Sequence, residues 1–150
     1  MSLKLDAVDL LRWLHFLAMG AGFGAALVAL LLSGFEEGRE DLQGLAATVW
    51  SRVVAWAFRL ALVVGVVLFV QMMRVGQNPL ALGPAFHAKL LLAVILVGLS
   101  EATPSALARG RRGSALLAVV LFLAASFLMF NRGLFRNAPR VLPAPVVSAR

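Results

Sequence analysis

The amino-acid sequence predicts an all-α integral membrane protein, a four-helix bundle running up-down-up-down. Three observations carry that prediction. Hydrophobic residues fill 61% of the 150 positions and charged ones 14%, against roughly 45–50% and about 25% in ordinary soluble domains. A chain this small has too much surface for its volume to hide such an excess from water, so the excess faces lipid. The apolar residues also gather into four runs, each near the roughly 20 residues that a bilayer core requires. Finally, the connections between the runs are short, which makes successive helices antiparallel neighbours.

The first run, from about Leu10 to Ser33, carries no formal charge between Trp13 and Phe35. It exceeds the roughly 7–15 apolar residues of a secretory signal and reads as a retained helix. The segment 34–41 is a polar loop holding four of the seven acids. The second helix spans about Ala46 to Met73, interrupted only by Arg52 and Arg59, and residues 74–83 supply Gly, Asn and Pro for a turn. The third opens at Pro84, where a missing N–H needs no partner, and weakens at Glu101-Ala102-Thr103-Pro104. A basic stretch, Arg109-Gly110-Arg111-Arg112-Gly113, leads into the fourth, about Ser114 to Asn131. Residues 1–131 thus form one transmembrane domain with helices at about 10–33, 46–73, 84–107 and 114–131. Residues 132–150 form a tail with three Pro, four Arg and no helical period.

The formal charge of +7 would suggest nucleic acid in a soluble protein. Here the cations sit at the ends of apolar runs, where they anchor to headgroups and set topology. The partner is the lipid bilayer, not nucleic acid, and a multi-pass protein of a cell membrane, the bacterial inner membrane, is expected. Lys4, Arg12, Arg74, Lys89, Arg132, Arg136, Arg140 and Arg150 fall on one side, and Arg39, Arg52, Arg109, Arg111 and Arg112 on the other. Positive charge favours the cytoplasm, so the N-terminus is expected there. Cysteine and tyrosine are absent, which excludes disulfides, thiolate metal sites and Cys nucleophiles. No HExxH, Walker loop or GxSxG motif offers hydrolase or nucleotide chemistry.

The two histidines are the first candidates for function. His15 lies about five residues into the first helix and His87 about three into the third, which runs the same way. Both are then expected roughly 5–8 Å below the same surface. Arg12, His15, Met19 and Gly22 share a face of the first helix, and Gly22 would leave room for a flat macrocycle beside the imidazole. Met72 and Met73 end the second helix at that surface, and Met129 and Asn131 end the fourth. Arg12, Arg74 and Lys89 ring the level with positive charge. Haem b takes axial His or Met, cations for its propionates and a dry slot; a metal held by His15 and His87 needs less. Against this stands a plainer reading, in which interfacial histidines bond carbonyls, methionines fill gaps and cations snorkel.

Deeper in, Arg59 and Glu101 are expected to meet between the second and third helices as a structural pair, Glu101 pointing inward. Charges in lipid need such partners. Trp56, one turn from Arg59, is a candidate cation–π partner. Gly20 and Gly24 form a GxxxG on the side of the first helix opposite His15, for bundle packing or a homo-oligomer, packing being favoured.

Two stretches, Leu11-Arg12-Trp13-Leu14-His15-Phe16-Leu17-Ala18-Met19-Gly20 and Phe86-His87-Ala88-Lys89-Leu90-Leu91-Leu92, resemble the HemJ-type protoporphyrinogen oxidases and the related CopD-like copper-resistance membrane domains. The HxK at the third helix and the basic stretch before the fourth carry the likeness, which covers the first and third helices. The resemblance implies a haem-b protein oxidising a porphyrinogen or relaying electrons, with His15 and Lys89 matching the functional His and Lys. The acidic loop stands where that family has aromatic and charged residues. Lys89 also lies about 200° around the helix from His87, so the two oppose each other. The CopD-like alternative would bind copper through His15, Met19, His87 and Met72 or Met73, since imidazole and thioether suit Cu(I). A third alternative is a non-catalytic subunit of a larger membrane complex.

Overall fold

The computed structural model describes residues 6–76 and 84–130. Helix α1 spans Ala7–Phe35. The Asp6 carbonyl accepts the N–H groups of Asp9 and Leu10 at its start, and Asp9 adds an acid to the first turn, where the helix dipole favours negative charge. Apolar residues alone mark a start near Leu10; this capping carries the helix one turn further out.

A short 3-10 turn, Glu40–Leu42, follows. Gly44, with φ of 80°, then turns the chain into the second helix, α2. This rod runs through Leu45–Val49, a π-helical turn at Trp50–Val54 and Ala55–Arg74. A carboxylate oxygen of Glu36 accepts the Ala46 N–H at 2.5 Å, satisfying a first-turn donor that has no partner within the helix. Helix α3 spans Pro84–Leu107 with Pro104 inside it. It ends where Arg111 N–H bonds Ala106 O and Gly110 N–H bonds Leu107 O, the Schellman pattern that Gly110, at φ 70°, makes possible. Helix α4 spans Gly113–Phe130.

The helices pack in chain order, α1 on α2, α2 on α3, α3 on α4, with α4 returning to α1. Contacts fix the directions. His15 meets Ala61 while Glu36 meets Ala46; Trp50 meets Ser100 while Phe69 stacks on Phe86. Phe23 stacks on Phe122 with centroids 4.6 Å apart, and Arg112 pairs with Glu37 at 2.9 Å. Every neighbouring pair is antiparallel, so the architecture is the up-down-up-down bundle. The start of α1, the end of α2, the start of α3 and the end of α4 share one end; the 36–44 and 108–112 connections share the other.

The packing is inverted relative to a soluble protein. Many core positions hold small residues such as Ala18, Ala26, Ala29, Ala46, Ala61, Ala115 and Ala118, wrapped around Trp50, Phe58 and Phe122. Leu, Val and Phe crowd the outside, among them Phe16, Leu31, Val63, Leu91, Val94 and Phe127. Small residues let helices approach closely in lipid, where apolar bulk gains little by hiding. Helices α1, α2 and α3 are each long and apolar enough to cross a membrane, and α4 is a shorter apolar helix. The chain is an all-α membrane helical bundle.

Candidate functional site

His15 projects from α1 onto a bare patch of α2. Its Nδ1 lies 2.8 Å from the Ala61 carbonyl. That carbonyl is reachable because Gly65, the residue one turn on, has no side chain to cover it. A Cβ built on Gly65 would lie 3.2 Å from His15 Cε1. A carbonyl only accepts, so Nδ1 carries the hydrogen, and in the neutral ring the lone pair is on Nε2. Among the described residues Nε2 has no hydrogen-bond partner.

The two histidines share an end of the bundle but not a site. His15 sits opposite Ala61 and Gly65 of α2, whereas Phe86, beside His87, stacks on Phe69. The offset of four to eight residues along α2 puts His15 roughly 6–12 Å deeper, not at the common depth expected. The earlier start of α1 explains part of this. The histidines also stand on diagonal helices of the ring. His87 is exposed and meets the edge of Phe86. Lys89 is half-buried on the other side of α3. The opposition between His87 and Lys89 expected from the sequence is seen in their burial, one exposed and the other half-buried.

The remaining candidates disperse. Arg12 is exposed and pairs with Asp9 at 3.2 Å. Met19 packs against the core cluster. Arg74 lies exposed at the end of a shallow groove of about 240 Å³ along Val66, Val67, Val70 and Gln71. Met72 is half-buried and Met73 exposed. Asn131 and the side chain of Met129 lie outside the described residues, as does the tail. The room expected beside Gly22 is filled, because a Cβ there would lie 3.1 Å from Ala57 Cβ and 3.3 Å from the Phe58 ring. Gly22 is a close helix contact, and the glycine that borders the imidazole is Gly65. Among the described residues no three His, Asp or Glu side chains converge as a metal-ligand group.

Arg59 and Glu101 meet directly, Nε to Oε1 at 2.7 Å and Nη2 to Oε2 at 2.6 Å. Trp56 lies under the guanidinium at 5.0 Å. The inward direction expected for Glu101 is overturned: the two side chains are 43% and 45% exposed, on the outer face of the bundle. Gly20 and Gly24 are also exposed, and no atom lies within 4 Å of a Cβ built on either. They take no part in packing within the bundle.

Three features had no place in the sequence reading. Ala61 and Gly65 were legible only as an unexplained glycine inside an apolar helix, the usual mark of a close approach. Trp50 donates its indole N–H to Ser100 O at 3.1 Å, four residues before a proline. At the end away from His15, Ser33, Glu36, Glu37, Gln43, Gly44 and Arg112 border an open cavity of about 580 Å³, with the Glu37–Arg112 pair joining the acidic loop to the basic one. Compared with known proteins, the chain matches no family model, and no curated protein or solved structure shows significant similarity to it.

Proposed function

We propose that this chain is a membrane haem-b protein of HemJ-like type, serving the oxidation of a porphyrinogen or the relay of its electrons. His15 would hold the iron and Lys89 would be the functional cation. The observation that carries the reading is the His15–Ala61 bond. A metal-bound imidazole characteristically donates its other ring N–H to a carbonyl or carboxylate, which fixes tautomer and orientation. The donor fits one axial bond. The packing at Gly22 does not fit a ring buried between α1 and α2 there, so the reading keeps the axial bond without that slot. When bound, haem would supply one-electron redox chemistry. The chain's own share is the aimed Nε2, held by Ala61 and Gly65, and a cation at Lys89. The cation count favours an N-terminus in the cytoplasm.

The test is an absorbance spectrum of the purified protein after haem addition. A Soret band is expected in the parent and in His87→Ala, and its loss in His15→Ala. Lys89→Met should keep the band and lose porphyrinogen turnover. A spectrum indifferent to His15→Ala removes the reading. Copper bound in place of haem would favour the CopD-like alternative, and neither would favour a non-catalytic subunit.

A further inference from the structure

The Arg59–Glu101 pair poses a problem that the bundle itself does not solve. A guanidinium has five N–H donors, and two of Arg59's are spent on Glu101. The others have no partner among the described residues, and the pair is more than two-fifths exposed. Arg59 lies 14 residues from Leu45 and 15 from Arg74, about 20 Å from either end of α2. The guanidinium reaches to Glu101, six residues from the end of α3 at Leu107, so the pair lies inside the span and nearer that end. In hydrocarbon, donors of this kind require a protein acceptor.

The surroundings have a matching shape. On α3 the exposed positions about Glu101 are Gly98, Ala102 and Ser105, and no atom lies within 4 Å of a Cβ built on Gly98. On α2 the exposed positions about Arg59 are bulky: Trp56, Leu60 and Val63. The patch is therefore a cationic ridge beside an anionic furrow. Rotation by half a turn about the membrane normal exchanges ridge and furrow, setting Arg59 of each copy against Glu101 of the other. Closed two-fold symmetry demands that kind of self-complementary surface.

We propose that the outer face of α2 and α3 is a contact between two copies of this chain, centred on the Arg59–Glu101 pairs and related by a two-fold axis along the membrane normal. The four charges form one network, and the ridge of each copy packs into the small-residue furrow of the other.

The absence of cysteine makes the test clean, because an introduced one can pair only with a second copy. Ala102→Cys sits in the furrow; Val120→Cys sits on the exposed face of α4 and serves as the control. Each is reconstituted in phosphatidylcholine vesicles at increasing lipid dilution and treated with a bis-maleimide spanning about 10 Å, because ridge-into-furrow packing sets the two furrows about one helix spacing apart. Ala102→Cys should give a covalent dimer that persists on dilution, and Val120→Cys should not. Adding Arg59→Leu with Glu101→Leu, which removes both charges and leaves neither unpaired, should lower the dimer yield of Ala102→Cys about tenfold, the factor expected for 1–2 kcal/mol of interhelical bonding. Exchanging the charges, Arg59→Glu with Glu101→Arg, should restore it. Equal yields at the two cysteines overturn the proposal, as does a heavier adduct with another protein in native membranes. A yield unmoved by removing the pair overturns it as well.

Discussion

Replacing Trp50 with phenylalanine tests how the bundle tolerates a proline within a membrane helix. Pro104 has no N–H, so the carbonyl four residues earlier, Ser100 O, loses its partner in the α3 ladder. Trp50 fills the gap, its indole N–H 3.1 Å from that oxygen, and its side chain is 0% exposed. Trp50→Phe removes the donor and leaves a buried carbonyl unsatisfied, at a cost of about 1–3 kcal/mol. The smaller ring also opens a cavity; about 40 Å³ at 24 cal/mol per Å³ adds ~1 kcal/mol. The expected loss is therefore about 2–4 kcal/mol, read from reversible unfolding in mixed detergent micelles followed by helical circular dichroism. Pro104→Ala separates the two contributions, because it returns an N–H that can bond Ser100 O. In that background Trp50→Phe should cost only the cavity, leaving a coupling of about 1–3 kcal/mol between the two sites. Equal costs in both backgrounds would refute the reasoning, since the indole would then be acting by packing alone.

Glycines give two further outcomes. Gly65→Ala places a methyl 3.2 Å from His15 Cε1, so the ring must give by a few tenths of an ångström against the Ala61 carbonyl; stability should fall by about 1 kcal/mol relative to Gly24→Ala, and the imidazole Nδ1–H resonance should move in a nitrogen-15 NMR spectrum. Gly22→Ala meets Ala57 and Phe58 and should cost about 1–3 kcal/mol through overpacking, whereas Gly24→Ala meets nothing within 4 Å and should leave unfolding stability undiminished.

The fold was legible because lipid forces a simple code. Apolar runs of spanning length separated by short polar loops leave little choice of architecture, and each helix falls where its run lies. The π turn at Trp50–Val54 was not legible, since nothing in its residues sets it apart from the helix around it. The candidate site was legible in part. Antiparallel packing brings Arg59 and Glu101 together from residue counts alone, yet a count along the axis does not say which way a side chain faces around it. That is why the pair was found and its exposure missed. The same limit applies at Gly22 and Gly65: both are helical glycines, and only the facing helix decides which one borders the imidazole.

The hydroxyl groups inside the spans follow one rule. Ser33 bonds Leu30 O, Ser100 bonds Val97 O, Thr103 bonds Leu99 O and Ser126 bonds Phe122 O, each hydroxyl returning to its own helix. Trp50 serves the carbonyl that Pro104 orphans. Such groups are spent, and in hydrocarbon a spent group is structural. His15 Nε2 and the outer N–H groups of Arg59 retain hydrogen-bonding capacity that no described residue takes up. Ser114 Oγ, buried in the first turn of α4, is similarly unmatched, but it lies close to the surface beside Arg112. The other two lie within the spans, where an unfilled donor or acceptor costs most. The His15 Nε2 and the outer face of the Arg59–Glu101 pair are accordingly the two places where the proposals above set a partner against the bundle.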